Sequence, residues 1–223
     1  MLKQWVNRVK DWEHRMHRSY EKPIVTEADR ARAIYYAKWI DHGFLRRFWT
    51  NFDMVAPGVY RSNHPSPKRI SEFKAMGGKS VLNLRGGVNI PTSLLSEEAA
   101  TRAGLVTRTV GMTARHAPED YRILDLLDAF DTLPKPFLIH CKSGADRTGL
   151  AAAIYAFDYA GASEAEARKQ LSFKYLHMRR SRTGILDDFL DAYFAAHRAT
   201  GIRMREWVST VYDIDALNRA AGR

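Results

Sequence analysis

The segment His140–Gly149, "HCKSGADRTG", holds the only cysteine of the 223-residue chain. Cys141 follows the apolar run "PFLI", which predicts a short buried strand, and Arg147 stands six residues further on, where a helix is predicted to begin. Ligands of open α/β sheets bind at the carboxyl ends of strands, which is where Cys141 falls. A tight turn there can direct its backbone N–H groups inward, and the helix dipole adds positive charge, so the sequence predicts an oxyanion site.

The same surroundings would make the thiol reactive. A free cysteine has a pKa of about 8.5, and a helix N-terminus with nearby cations lowers it to roughly 3.5–7.5. A thiolate beneath a bound phosphoryl group is in position for nucleophilic attack. Arg147 offers a planar fork for two phosphoryl oxygens, Thr148 can donate a hydrogen bond to the sulfur, and Gly144 permits the turn. A buried cysteine without a chemical role would not require these residues in this order.

Strands and helices alternate through the rest of the chain and must position this loop. Strand-like segments are predicted at residues 58–62, 79–84, 105–112 and 136–141. Helical segments are predicted at residues 65–78, 92–104, 117–133, 147–161, 163–173 and 184–201, with Thr92 or Ser93 capping the second. This order indicates an α/β fold of three layers, in which helices flank a central, largely parallel sheet.

Composition limits the classes of partner. The formal net charge of +10 favours phosphorylated molecules, nucleic acid or anionic lipid. Basic residues are not interleaved with aromatic ones, so nucleic acid is not expected. One cysteine excludes an internal disulfide, and charges run through the N-terminus where a secretion signal would be apolar, so a cytoplasmic location is expected.

The N-terminal residues form a basic arm in which an amphipathic helix is predicted over residues 2–16. Its apolar stripe comprises Leu2, Trp5, Val6, Val9, Trp12 and Met16. The stripe would either pack on the rest of the protein or contact an anionic membrane surface.

The segment "HCKSGADRTG" resembles the His-Cys-x5-Arg-Ser/Thr-Gly loop of cysteine-dependent protein tyrosine phosphatases. "GVYRSNHPSP", "SVLNLRGG" and "TGILDDFLDAY" are similar to segments of bacterial dual-specificity-type phosphatases, so the resemblance spans roughly residues 50–195. It implies a dual-specificity phosphatase-like fold. The predicted organisation is a basic helical arm (residues 1–50), a phosphatase domain (51–200) and a C-terminal helical extension that packs on it (201–223).

The resemblance also implies a mechanism. Cys141 would attack phosphorus and form a phosphocysteine, which water would then hydrolyse without a metal or another cofactor. Arg147 and the loop amides would bind the phosphoryl oxygens. The predicted phosphate-binding residues are Lys142, Ser143, Gly144, Ala145, Asp146, Arg147 and Thr148.

The general acid is less clear in the sequence. Dual-specificity enzymes carry an aspartate on a separate upstream loop, but residues 110–120 contain none before Asp120. Asp146 is the favoured acid, because its "DRT" ending resembles myotubularins, Sac-type lipid phosphatases and a bacterial group of broad phosphoester scope. Asp120, Glu119 and His116 remain alternatives, and Asp146 could instead brace the loop.

Roles for six further arginines are predicted from their place in the chain. Arg61 and Arg85 lie near strand ends and are predicted to brace the loop. Arg115 lies in the segment expected to cover the site and is the better candidate for substrate contact. The run that contains Arg179, Arg180 and Arg182 is interpreted as a solvated face.

The predicted activity is phosphomonoester hydrolysis at phosphotyrosine, and also at phosphoserine or phosphothreonine, of a protein partner. The alternative is a phosphatase for phosphoinositides or other small phosphorylated compounds, favoured by the net charge, Lys142 and the "DRT" ending. A third hypothesis is a non-catalytic module that binds a phosphorylated partner through the loop.

Overall fold

A computed structural model of the chain describes residues 12, 15–87, 89–220 and 222. The helix predicted over residues 2–16 therefore lies almost wholly outside the described residues, and its contact with a membrane stays a prediction. Residues 15–20 are helical. In the described part of the chain, no helix has the length and apolar character needed to cross a membrane.

Five strands form one sheet, and they are β1 (Asp53–Ala56), β2 (Val59–Ser62), β3 (Ser80–Arg85), β4 (Val106–Met112) and β5 (Phe137–His140). Their order is β1-β2-β5-β3-β4, and only the edge pair β1–β2 is antiparallel. The predicted α/β fold with a largely parallel sheet is confirmed. Strand β1 was not predicted, because four residues at an exposed edge carry no clear apolar pattern.

Ten labelled helices accompany the sheet in the described chain. They are α1 (Glu27–Tyr35), α2 (Gly43–Arg46), α3 (Pro67–Ala75), α4 (Pro91–Arg102), α5 (Asp120–Thr132), α6 (Asp146–Ile154), α7 (Glu164–Lys169), α8 (Ile185–Thr200), α9 (Met204–Thr210) and α10 (Ile214–Ala220). Wider π-helical turns extend α1 to Ile40 and α6 to Tyr159. Helix α4 begins at Pro91 after the N-cap residue Ile90, so the capping role predicted for Thr92 or Ser93 is wrong. The Thr92 hydroxyl donates to Asp41 instead.

The strand side chains alternate between two apolar layers, as the pleat requires. Val81 and Leu138 face a small core with Ile70 and Phe73 of α3. On the other face lies the larger core, whose helical members come from α5 to α9 and include Ile123, Leu150, Phe189 and Trp207. Trp207 thus belongs to this core, while the domain boundaries predicted at residues 50 and 200 stay predictions.

Strand β5 lies in the middle of the sheet, and all four of its residues are buried. His140 at its end pairs with Ser62 of β2 on one side and Asn83 of β3 on the other. The chain therefore leaves β5 where three parallel strands end together, and this geometry delivers Cys141 to the carboxyl edge of the sheet.

Candidate active site

Cys141 lies between the end of β5 and the N-terminus of α6, with only 1% of its surface exposed. Helix α6 begins at Asp146, and no described side chain caps its N-terminus. The first N–H groups of a helix lack partners within it and favour negative charge. The structure therefore puts the thiol against an uncapped helix end, as the sequence predicted.

Three consecutive carbonyl groups of the loop, those of Lys142, Ser143 and Gly144, are held by donors outside the loop. The donors are the His64 backbone amide (3.1 Å), the Asn51 side-chain amide (2.9 Å) and the Arg61 guanidinium (2.6 Å). With these carbonyl oxygens fixed on the outer side, the Gly144 amide of the same turn donates to the Cys141 sulfur, and the Ala145 amide donates to the Ser143 hydroxyl at 3.3 Å. The loop thus has the geometry of an anion-binding nest.

Gly144 allows the loop to pack against the end of β2. Its φ is +75°, and a Cβ atom there would stand 2.6 Å from the backbone nitrogen of Asn63. Arg61, fully buried, also donates to the carbonyl and side-chain oxygens of Gln170 at 2.5 and 2.9 Å. Its guanidinium lies 3.4 Å from the centre of the Tyr175 ring. Arg61 therefore contacts the outer side of the loop, in the geometry of a brace.

The surroundings of Cys141 favour its ionised form. Burial is the largest single influence and would raise the pKa of the thiol, but the Arg147 guanidinium and the hydrogen bonds to the sulfur together outweigh it, so the pKa is lowered. The Thr148 hydroxyl and the backbone amides of Thr148 and Gly144 add hydrogen bonds to the sulfur in the same direction. His140, fully buried, has its pKa lowered to about 3 by burial and is neutral. The positive field at the sulfur thus comes from Arg147 and the amides.

Arg147 is oriented by the ends of two strands. Its Nη1 lies 3.4 Å from the carbonyl oxygen of Leu84 in β3 and 3.5 Å from that of Met112 in β4. These contacts keep the guanidinium at the cavity wall. A planar fork held at that place suits two oxygens of a bound oxyanion.

Asp146 belongs to a row of three titratable groups that runs inward from the cavity to buried His177 and Asp187. Its Oδ1 accepts a hydrogen bond from Nδ1 of His177 at 2.7 Å, and Nε2 of His177 donates to Asp187 at 2.7 Å. Burial alone would raise the pKa of Asp146, but hydrogen bonds from His177 and Thr183 outweigh it, and the pKa is lowered. Asp146 is therefore a carboxylate at neutral pH.

A cavity of about 570 Å³ opens over the loop. Its wall combines the loop with the segment around α2, the end of β4 and the residue Thr183. The lining side chains are His42, Leu45, Arg46, Trp49, Met112, Thr113, Ala114, Arg115, His116, Lys142, Ser143, Asp146, Arg147 and Thr183. A larger groove of about 980 Å³ lies between α1, α3 and α4 and shares only Arg46 with this cavity, so it is not the site of the cysteine chemistry.

The candidate acids separate clearly in the structure. Asp146 and His116 line the cavity, whereas Glu119 and Asp120 do not. Glu119 forms an ion pair with Arg122 at 3.1 Å, and exposed Asp120 accepts a hydrogen bond from its neighbour's amide at the start of α5. Glu119 and Asp120 therefore lie at the start of a helix, as the sequence predicted.

The remaining predicted site residues differ in whether they face the cavity. Lys142, Ser143 and Arg115 face the cavity, while Gly144, Ala145 and Thr148 are buried behind it. Arg85, predicted to brace the loop, binds Asp41, and Asp41 in turn contacts Lys142 of the loop. Arg179, Arg180 and Arg182 are exposed and outside the cavity.

Asp41, absent from the sequence analysis, links the arm to the loop. It is 1% exposed and binds Arg85 through both oxygens, at 2.9 and 3.1 Å. Arg46 and Lys142 each lie 3.0 Å from it. Burial alone would raise the pKa of Asp41, but Arg85, Lys142 and Arg46 hold it well below its usual range.

His177 and Asp187 were also missed. His177 stands in none of the quoted motifs, and 31 residues separate it from the carboxylate of Asp146 that it contacts. Asp187 lies in "TGILDDFLDAY", a segment whose similarity to phosphatases was noted without a role for its carboxylates. Asp41 stands 101 residues before Lys142. The only signal for it in the sequence is its place as an acidic residue directly after a largely apolar stretch.

Comparison with known proteins agrees with this geometry. The sequence model of the tyrosine phosphatase family matches residues 88–213, more than half of the chain. The inositol diphosphatase DSP3 of Arabidopsis thaliana is 34% identical over 105 residues, which are 45% of this chain and 50% of that protein. The inositol diphosphatase DSP4 is 33% identical over 106 residues, 44% and 51% of the two chains. The chain thus spans about half the length of these curated relatives.

Solved structures share the fold at low identity. TpbA of P. aeruginosa superposes with a TM-score of 0.52 at 20% identity, covering 78% of this chain and 92% of that one. The core catalytic domain of the PP-IP phosphatase SIW14 of S. cerevisiae gives a TM-score of 0.51 at 20% identity, covering 67% and 93%. With the matched family, the cysteine loop and the sheet order in agreement, this chain belongs to the tyrosine phosphatase family.

Proposed function

We propose that this protein is a phosphatase that removes phosphate from a small, multiply phosphorylated compound through a phosphocysteine. The charge of the cavity wall carries this proposal. Arg46, Arg115, Lys142 and Arg147 line it, against one carboxylate among the described residues, Asp146. Asp41 behind the wall offsets one of these charges, so the excess stays positive and suits a ligand with more than one phosphate.

The reaction would begin at the thiolate. Cys141 attacks phosphorus, a P–S bond forms, and the bond to the leaving group breaks. The loop amides and the Arg147 fork bind the equatorial oxygens, whose charge is greatest in the transition state. Water then attacks the phosphocysteine, phosphate departs, and the thiolate returns to the hydrogen bonds from Thr148 and Gly144.

The relatives support the class of substrate. Two curated relatives are inositol diphosphatases, and SIW14 is a PP-IP phosphatase. In the hydrolysis of a diphosphate the leaving group is itself a phosphate, which departs without a proton more readily than an alkoxide. An ionised Asp146 at the cavity is therefore compatible with such a substrate, whereas an alkyl phosphate would need an acid.

Phosphotyrosine is the second candidate substrate. Leu45, Trp49 and Met112 give the cavity an apolar portion that could contact an aromatic ring. TpbA has been solved in complex with pTyr, and it shares the fold. A non-catalytic binding module ranks lower, because the contacts that stabilise a Cys141 thiolate serve no purpose in binding alone.

Direct comparison of substrates tests the proposal. The purified chain would be assayed with an inositol diphosphate, a short-chain phosphoinositide and a phosphotyrosine peptide at equal ionic strength. We expect kcat/KM to be at least tenfold higher for the inositol diphosphate than for the peptide. A preference for the peptide would support the protein phosphatase alternative, and no turnover of any of the three would support the binding module. Cys141→Ser serves as the control for contaminating activity.

A further inference from the structure

We propose that His177 and Asp187 are positioning residues that hold the Asp146 carboxylate as the proton acceptor for the water that hydrolyses the phosphocysteine. The three groups form a continuous row from the cavity wall into the first turn of α8. The inference rests on the proposed phosphatase activity and specifies which group serves its second step.

The hydrogen bonds fix the protonation of the imidazole. His177 is 2% exposed, and each ring nitrogen lies 2.7 Å from a carboxylate oxygen. A carboxylate accepts and does not donate, so both nitrogens must carry a proton. Burial alone would lower the pKa of His177, but Asp146 and Asp187 outweigh it and raise the pKa to about 9.

The imidazolium in turn determines what Asp146 can do. One oxygen of Asp146 is bound to His177, the Thr183 side chain donates to the same carboxylate, and Arg147 adds positive charge from the loop. On the far side Arg179 faces Asp187. An acid must hold a proton before the reaction begins, and this carboxylate does not. The geometry therefore assigns Asp146 the acceptor role, in place of the acid role predicted from the sequence.

Hydrolysis of the phosphocysteine needs no reactant besides water. The water oxygen bonds to phosphorus, the P–S bond breaks, and its electron pair returns to the Cys141 sulfur as a thiolate. The water proton passes to Oδ2 of Asp146, the oxygen that His177 does not bind, and the side chain is 24% exposed and lines the cavity. Phosphate leaves, and Asp146 then releases the proton to solvent.

The chain reaches this arrangement through an unfavourable backbone conformation. Leu176, immediately before His177, has φ +67°, which costs an ordinary residue about 1–2 kcal/mol. The turn also leaves the Leu176 side chain 48% exposed, while His177 points inward. Strain of this kind persists where the surrounding structure requires it, and here it delivers the imidazole to Asp146.

The test is His177→Gln, whose amide can take the place of Nε2 and keep the hydrogen bond to Asp187, but which loses both the donor to Asp146 and the positive charge. With p-nitrophenyl phosphate, whose leaving group needs no proton, we expect kcat to fall at least tenfold while kcat/KM stays within twofold. A rapid burst of nearly one p-nitrophenolate per enzyme should appear, because phosphocysteine accumulates. The acidic limb of the kcat profile should move to higher pH, since Asp146 loses the cation that lowers its pKa.

His197→Gln is the matched control. His197 lies ten residues beyond Asp187 on α8, with its Nδ1 2.8 Å from the Ile202 carbonyl oxygen, and its loss should leave all of these values unchanged. Equal falls in kcat and kcat/KM without a burst would overturn the proposal, as would kinetics like those of the parent. Absence of turnover in the parent protein itself would instead contradict the proposed function.

Asp187→Asn provides a second variant in case His177→Gln does not fold, which thermal melting and vanadate binding would reveal. Asn can still accept from His177 but carries no charge, so the pKa of His177 should fall from about 9. The basic limb of the kcat profile should then move to lower pH by about one unit or more. An unchanged profile would contradict the proposed row.

Discussion

The two walls of the cavity are built differently. The loop from Cys141 to Thr148 is fixed through its backbone by Arg61, Asn51 and His64, and the groups behind it are buried. The facing wall, residues 42–49 and 113–116, offers exposed side chains such as Leu45, Arg115 and His116. A fixed backbone suits bond-making at one phosphorus atom, whereas exposed side chains can vary without disturbing it. We infer that the loop sets the reaction and the facing wall selects the substrate.

The largest effect is expected from a substitution that removes the nucleophile and leaves the loop in place. Cys141→Ser replaces the thiolate with a hydroxyl whose pKa is far too high for ionisation at neutral pH. Turnover should fall by about 10⁴-fold or more, since the loss of a nucleophile is of this order in other enzymes. Inorganic phosphate, which binds without a bond to sulfur, should still bind within about threefold of the parent, as measured by calorimetry. Residual turnover near the parent rate would exclude Cys141 as the nucleophile.

Asp41 joins the two walls, because it binds Arg46 on one and Lys142 on the other. Asp41→Asn should lower the free energy of unfolding by about 3–5 kcal/mol, the usual cost of leaving buried charges unpaired. The pKa of Asp41 is lowered in the folded protein, so its contribution is present above pH 4 or so and is lost as the pH falls below that.

Urea unfolding at pH 7 and pH 3 measures both effects, and the variant should be closer to the parent at pH 3. Asp188→Asn is the control, since Asp188 is partly exposed and 3.9 Å from Arg179, and it should cost less than about 1 kcal/mol. Equal losses in the two variants at pH 7 would show that Asp41 does not join the walls.

Gly144→Ala tests the rigidity of the loop alone. The new Cβ would meet the Asn63 nitrogen at 2.6 Å in a backbone region that alanine avoids, so the loop must shift. We expect a loss of about 2–3 kcal/mol in the free energy of unfolding and a fall in kcat. Gly161→Ala is the control, because Gly161 has a similar φ of +70° with no atom within 4 Å. If both variants lose the same stability and activity, contact with β2 is not what fixes the loop.

The smallest effect is expected on the facing wall. Arg115→Gln removes an exposed cation that lines the cavity, so KM for an inositol diphosphate should rise by about three- to tenfold with kcat unchanged. The rise should shrink at high salt, because exposed charges are screened. Arg180→Gln, exposed but outside the cavity, should leave KM unchanged. A fall in kcat for Arg115→Gln would mean that this wall takes part in the reaction itself.

The sequence by itself determined the loop and the elements that present it. Strand β5, the turn, Arg147 and helix α6 follow one another within about twenty residues, and local patterns of apolar residues and glycine specify such short-range structure. The same patterns gave the parallel sheet and hence the edge at which Cys141 lies. They could not reveal β1, since a four-residue edge strand depends on its partner more than on its own residues.

Only the tertiary structure decided how the loop is surrounded. Asp41, His177 and Asp187 reach their partners across 101, 31 and 10 residues of chain, and no spacing rule links positions that meet only when separate elements pack. The same packing put Glu119 and Asp120 outside the cavity and left Asp146 beside an imidazolium. The charge state of a carboxylate depends on its neighbours in space, which is why the residue type was visible in the sequence and its ionisation was not.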